Sequence, residues 1–256
     1  MDLNIISWNV NGIRAAERKG FTDWLINEAP DIMCVQETKA DVSQLATGIT
    51  NIDGYNAYFS SARKKGYSGV GLWSRHAPEE VKTGIDIERF DSEGRILRAD
   101  YGVLVLYNIY FPNGGASSER LEYKMDFYET FIAHVKDELK IHKKIVICGD
   151  FNTAHKEIDL ARPGPNSTVS GFLPRERLYI DKLVDTGFID TFRKFNNDAD
   201  NYTWWDYKTR ARERNVGWRI DYFFVSSELE KDLKGAFIMG DVQGSDHCPV
   251  GIRFSI

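Results

Sequence analysis

Short apolar runs rich in β-branched residues recur along the chain, and each stops abruptly at a polar cluster. Leu3–Trp8, Asp31–Val35, Gly69–Ser74, Arg95–Tyr101, Val103–Phe111, Lys144–Cys148, Ile220–Val225 and Val250–Phe254 carry this pattern and predict strands. Several runs (IIS, IMCV, VLVLY, IVIC) are almost continuously apolar. Such strands are expected to be buried on both faces, between a second sheet and helices. A helical period appears from about Ser118 to His142, where Leu121, Met125, Tyr128, Ile132, Val135 and Leu139 make one apolar stripe. Ser117 or Ser118 can cap its start, and Glu119 lies in the first turn. Further helices are expected at Phe21–Glu28 and Pro174–Thr186, the second opening with proline and acidic residues. No repeat, low-complexity tract or linker interrupts the chain. The expectation is one α/β domain over residues 1–256, with stacked sheets flanked by helices.

Composition narrows the class. At 256 residues, 42% hydrophobic and 28% charged, the chain can bury a deep core and is not disordered. Three cysteines, Cys34, Cys148 and Cys248, exclude a disulfide scaffold. Each sits in an apolar stretch, so buried free thiols in a reducing compartment are expected. The N-terminus lacks a secretory pattern, and no apolar stretch approaches the ~20 residues of a membrane helix. A cytoplasmic protein without membrane attachment is the expectation. The net charge of −5 argues against a uniformly basic nucleic-acid coat. It leaves room for a basic face around an acidic metal centre.

The strand ends carry the chemistry. The first predicted strand runs into Asn9 and Asn11, the second into Glu37, the fifth into Tyr110 and Asn113, and the sixth into Asp150 and Asn152. The seventh begins beside Asp221, and the eighth is preceded by Asp246 and His247. Taken singly, the asparagines could be turn formers, Asp150 a cap, Glu37 a surface carboxylate and His247 a structural histidine. The coincidence at six strand termini favours an active site built on a rigid scaffold. There is no glycine-rich phosphate loop, no cysteine–histidine zinc cluster and no serine nucleophile elbow. Oxygen ligands from Glu37, Asp246 and Asn11 suit a hard cation such as Mg²⁺. With Asp150 to orient or deprotonate water and an imidazole nearby, the inventory suits attack of water on a phosphodiester.

A second signal lies in residues 204–219. Trp204, Trp205 and Trp218 flank a loop that, across Lys208–Arg219, holds Lys208, Arg210, Arg212, Arg214 and Arg219 against only Glu213. A solvated loop with core tryptophans would read similarly. Basic residues interleaved with aromatics also suggest a phosphate-gripping surface beside a pocket for an extruded nucleotide. Arg63, Lys64 and Lys65 form a shorter basic patch able to hold DNA backbone.

The ordered segments SWNVNGIRA, CVQETKA, YSGVGLWS, NIYFPNG, ERLEYK, ICGDFNTAH, SGFLPRER, YTWW, RNVGWRIDYF and SDHCPV resemble the exonuclease III family of apurinic/apyrimidinic endonucleases, from Ile5 to about Val250. The resemblance implies a four-layer α/β sandwich of the deoxyribonuclease I type, with two β-sheets between helices. It implies Glu37 as the main metal ligand with Asn11 and Asp246 near the ion, Mg²⁺ as the cofactor and Mn²⁺ as a substitute. Asp150 would activate water, with Asn152 holding it or the phosphate. Tyr110, Asn9 and Asn113 would contact the scissile phosphate, and Asp221 would orient His247. Trp204 and Trp218 would line a pocket for a base-free sugar. Some members carry Asp where Asn11 stands, so one metal-site charge is missing relative to them. The implied activity is cleavage 5′ to abasic sites in duplex DNA, with 3′-phosphodiesterase and 3′→5′ exonuclease activity on blocked 3′ ends, by a monomer. A same-fold phosphoesterase acting on lipid or inositol phosphates, and a non-catalytic DNA-binding module, are the competing readings.

Overall fold

A computed structural model describes residues 2–255. Twelve strands form two six-stranded sheets: β1 (Asp2–Asn9), β2 (Ile32–Gln36), β3 (Asn56–Ser60), β4 (Val70–Ser74), β5 (Glu80–Thr83), β6 (Ile96–Asp100), β7 (Val105–Tyr110), β8 (Ile145–Asp150), β9 (Phe188–Asp190), β10 (Asp221–Ser226), β11 (Leu233–Ile238) and β12 (Val250–Ser255). The orders are β11-β12-β1-β2-β4-β3 and β5-β6-β7-β8-β10-β9. Each sheet has one parallel pair at its centre, β1 with β2 and β7 with β8, and is otherwise antiparallel. Helices cover both outer faces, giving the four-layer α/β sandwich that the resemblance implies.

Strand alternation sorts side chains between layers. Leu3, Ile5, Cys34, Leu106, Val146, Cys148 and Phe223 meet in the cluster between the sheets. Their neighbours Ile6, Met33 and Val35 face outward against Phe21 and Leu25 of the helix Phe21–Glu28. Tyr107, Ile109, Ile145 and Ile147 face outward against Met125, Phe127 and Phe131 of the helix Ser118–Ile141. Ser117 caps that helix by accepting from the Arg120 amide. All three cysteines are buried and free. Among the described residues, no helix is long and apolar enough to cross a membrane.

Four strands were not expected from the sequence: β3, β5, β9 and β11. They are the outermost strands of the two sheets. Half-exposed edges do not need the doubly apolar pattern that marks the central strands. Their burial patterns are correspondingly mixed.

The inward rows change character toward one edge. Ile5 gives way to Ser7 and Asn9, Cys34 to Gln36, Leu106 to Asn108, and Cys148 to Asp150. Asn108 crosses between the sheets: its amide donates to the Val35 and Gly71 carbonyls, and its carbonyl accepts from Gln36. Gln36 also donates to Ser7. All three side chains involved are fully buried, so this network fixes the register of one sheet on the other. Asn108→Ala would remove the donor to two carbonyls and leave one N–H of Gln36 unpaired. We expect a loss of at least about 3 kcal/mol in denaturant unfolding; a loss within 0.5 kcal/mol, about the size of a surface change, would show that the network carries no such constraint.

Candidate active site

Topology brings the polar termini to one edge. The parallel pairs β1/β2 and β7/β8 present their C-terminal ends, while antiparallel β12 and β10 present their N-terminal ends beside them. Asp150 and Asp221 are register partners across β8 and β10. Asn9, Glu37, Tyr110, Asp150, Asp221 and His247 are thereby gathered from both sheets.

Asn9 sits at the seam. Its side-chain amide donates to Glu37 Oε1 at 2.9 Å and to Asp150 Oδ2 at 2.8 Å. Its own carbonyl oxygen accepts from the Asn11 amide at 2.9 Å. Glu37, Asp150 and His247 each offer a ligand atom, and these atoms lie within 4.8 Å of one another. Of the expected ligands, Glu37 belongs to this grouping, and Asn11 and Asp246 are bonded to each other: Asp246 accepts from Asn11 Nδ2 at 2.9 Å and from the Trp204 indole at 3.1 Å. The two carboxylates at this spacing are donors suited to a hard metal ion, whereas His247 could ligate one only as the neutral imidazole.

Lys39 was missed in the sequence reading, although it lies in the CVQETKA segment. Its ammonium pairs with Glu37 Oε2 at 2.6 Å and donates to Asn11 Oδ1. The carboxylate of Glu37 thus already has a cation beside it. Asn11, Glu37 and Asn152 all have left-handed backbone, with φ of 48°, 56° and 51°. Asparagine tolerates this region, but glutamate does so at a cost of roughly 1–2 kcal/mol. Strain here is held in place by the strand ends on either side.

The charges are mutually adjusted. Burial pushes Asp150 up, and its neighbours Asp221 and Glu37 push the same way, so it titrates at about 7 despite the opposing His247. Burial alone would lower His247, but the Asp221 carboxylate outweighs it and the imidazole titrates at about 10. His247 is therefore an imidazolium at neutral pH, with Nδ1 donating to Asp221 Oδ2 at 2.8 Å and Nε2 3.9 Å from Asp150 Oδ2. Burial also raises Glu37, yet Lys39 and Asn9 hold it below the usual carboxylate range. For Asp246, His247, Asn11 and Trp204 likewise outweigh burial and lower it. The Tyr110 phenol is pushed well up by burial and by Glu37 and Asp150, and stays protonated. Thr203, also missed, donates its hydroxyl to Asp221 Oδ2 at 2.6 Å. Only a fully buried hydroxyl beside an aspartate distinguishes it, and the YTWW string does not reveal that.

A cleft of about 320 Å³ opens over these groups. Glu37, Asp150 and His247 line it, and Trp204, Trp218 and Ile220 give it apolar surface. The two indoles meet edge-on, with ring centroids 6.3 Å apart. Asn152 and Asn113 line it as well, joined by a 3.0 Å hydrogen bond.

The basic loop is less uniform than its sequence suggested. Lys208 and Arg210 are exposed. Trp205 is buried, with its indole N–H donating to Asn215, and cannot wall the cleft. Arg212 stacks on Trp205 at 4.6 Å and donates to the Gly240, Val242 and Ser245 carbonyls. It pins the segment leading into Asp246 and is not free to grip phosphate. Arg219 is buried between Asp159 and Asp190. Arg63, Lys64 and Lys65 are exposed in a patch 63–65 apart from the cleft, with Arg63 paired to Glu88.

Comparison with known proteins places these features in a family. Residues 6–247 match the Endonuclease/Exonuclease/phosphatase family. The exodeoxyribonuclease of Bacillus subtilis is 41% identical over 99% of this chain and 100% of its own length. The DNA repair nuclease APEX1 of Danio rerio is 40% identical over 100% of this chain and 83% of its own. An AP endonuclease structure from Archaeoglobus fulgidus superposes with a TM-score of 0.91 at 30% identity, covering 99% of this chain and 100% of that one. The 3′ phosphatase NExo from Neisseria, bound to product DNA hairpin, gives a TM-score of 0.92 at 28% identity over 99% and 100%. With sequence, sandwich topology and the polar strand edge in agreement, the chain belongs to the endonuclease/exonuclease/phosphatase family.

Proposed function

We propose that the chain is a metal-dependent DNA repair nuclease that hydrolyses the phosphodiester 5′ to abasic sites in duplex DNA. We include 3′-phosphodiesterase and 3′→5′ exodeoxyribonuclease activity, acting as a single-domain monomer. The observation that carries this reading is the convergence of Glu37, Asp150 and His247 in a cleft also lined by Trp204 and Trp218. The relatives named exodeoxyribonuclease and DNA repair nuclease support it. The buried free cysteines fit a cytoplasmic setting.

The roles follow from the geometry. Asp150, titrating at about 7, is poised to take a proton from water near neutral pH. His247, held as imidazolium by Asp221, donates from Nε2 to a phosphoryl oxygen and offsets the charge developing there. The protonated Tyr110 and the amide of Asn113 are further donors around the phosphate, whereas both N–H groups of the buried Asn9 amide are taken by Glu37 and Asp150, so Asn9 sets the carboxylates rather than contacting the phosphate. Asn152, fixed by its amide N–H to Asp150 Oδ1 at 2.7 Å, orients the attacking water or the phosphate. Glu37, with Asn11 and Asp246 beside it, would hold Mg²⁺ or Mn²⁺, and Lys39 would give way. The ion, when bound, offsets charge on the phosphoryl oxygens and keeps water in the site. An abasic sugar has no base to unstack, so it enters the space beside Trp204 and Trp218 at lower cost than an intact nucleotide.

Cleavage-site mapping on a duplex with one abasic analogue, beside undamaged and uracil-containing controls, tests the reading. The expected product is a single cut 5′ to the lesion, lost in excess chelator and restored by Mg²⁺ or Mn²⁺. Uncut abasic duplex, or full cutting in chelator, would overturn it.

Metal binding should depend on pH. A cation favours ionised Asp150, so a proton competes with it below about pH 7. Titration calorimetry should show Mg²⁺ affinity rising from about pH 6 to about pH 8; a flat profile would contradict the assignment. Asp150→Asn should lower single-turnover cleavage by at least ~10²-fold with binding kept, and near-normal turnover would move water activation elsewhere. Arg210→Ala should reduce the log–log salt slope of DNA binding by roughly one unit. Arg212→Ala should leave that slope unchanged while lowering the melting temperature, because its guanidinium is bound to carbonyls of the chain.

A further inference from the structure

Two segments quoted from the sequence, ERLEYK and SGFLPRER, contribute nothing to the chemistry above, yet each supplies one half of a fully buried ion pair. Lys124 lies on the inward side of the helix Ser118–Ile141, and Glu176 lies in the first turn of the helix Pro174–Asp185. Neither side chain is exposed at all, and Nζ and Oε1 are 2.6 Å apart.

The pair is tied to both sides of the cleft. Lys124 Nζ donates to the Asn152 carbonyl at 2.6 Å. Glu176 accepts from Ser170 Oγ at 2.9 Å, from the Gly171 amide at 2.6 Å and from the Leu173 amide at 3.1 Å. Ser170 and Gly171 line the cleft. Gly171 has φ 99°, and a Cβ built there would lie 3.1 Å from the Trp218 ring and 3.4 Å from the Asn152 carbonyl. The backbone at Gly171 therefore backs the indole directly. Through these bonds one charge pair holds both the turn that carries Asn152 and the surface on which Trp218 rests.

Stability alone does not account for such a pair. Removing both charges from water costs several kcal/mol per ion, and apolar replacements are often as stable or more so. Its worth lies in fixing two segments at one spacing. Resting on the nuclease reading above, we propose that Lys124 and Glu176 are positioning residues that set the cleft width between Asn152 and Trp218, and that this width selects a base-free sugar over an intact nucleotide.

The test compares wild type with the neutral double variant Lys124→Met/Glu176→Gln. Each single change leaves a buried charge unpaired and is expected to lower the melting temperature sharply. The double variant removes both charges and should recover most of that loss. It still lacks the donor to Asn152. On the abasic duplex with Mg²⁺ we expect kcat to fall about tenfold with KM moved far less, and the abasic-to-undamaged ratio of kcat/KM to fall about tenfold, each equivalent to roughly 1.4 kcal/mol. A double variant with wild-type kcat and ratio would overturn the proposal and leave the pair as a fold element. Ser170→Ala keeps both charges and reads the same ratio if the double variant does not fold. A fall of about threefold is expected, and an unchanged ratio overturns the proposal. A wild-type ratio near one would overturn the abasic-site selectivity on which the proposal rests, and the proposal with it.

Discussion

The side-chain amide of Asn9 holds together what the rest of the site uses. It reaches from β1 in one sheet to Asp150 at the end of β8 in the other, and to Glu37 at the end of β2. Two carboxylates at most about 5 Å apart repel each other by roughly 3 kcal/mol at an effective dielectric of ~20. A hydrogen bond to an ionised group returns about 1.5–3 kcal/mol. Two such bonds from one amide are enough to hold both oxygens in place. Because Asn9 is itself the last residue of a central strand, the spacing of the carboxylates is set by how the two sheets stack. The Asn108–Gln36–Ser7 network, one pleat further in, keeps that stacking in register.

The remaining charge is balanced by arrangement. The Asp221 carboxylate keeps His247 protonated, His247 tempers Asp150, and Lys39 answers Glu37. The result is one carboxyl near neutrality beside one firmly ionised, with a cationic donor close to both. Environments that push titratable groups apart are what acid–base work at neutral pH requires. The strained backbone at Glu37 is tolerated because strands fix the chain before and hydrogen bonds from Thr38 and Lys39 to Gly69 and Ser68 fix it after.

Much of this was legible in the sequence. Central strands buried on both faces must be apolar, so they stood out, and their polar termini had no competing explanation at six places at once. Edge strands β3, β5, β9 and β11 carried no such demand and were not seen. The site's carboxylates, histidine and asparagines were found because polar groups are rare at the ends of apolar runs. Arg212, Arg219 and Trp205 misled for the opposite reason. A basic loop reads as a phosphate grip, but whether a guanidinium meets solvent or a carbonyl depends on segments far away in the chain, here 159, 190 and 240–245. Lys124 hid within an apolar stripe, because its partner Glu176 comes from another helix. Lys39 sat two residues from Glu37, where only the left-handed turns at both residues bring the ammonium back onto the carboxylate.

The central claim is that the strand edge joining the two sheets binds a metal beside Glu37 while a base-free sugar lies against Trp204 and Trp218. A crystal structure of the Asp150→Asn protein with an abasic duplex and Mn²⁺, read by anomalous scattering, tests both halves at once. The account predicts an anomalous peak at the Glu37 carboxylate, Lys39 displaced from it, the phosphate 5′ to the lesion against His247, and the sugar turned out of the duplex onto the two indoles. A peak remote from Glu37, or an abasic sugar still stacked within the duplex over an empty cleft, would contradict it.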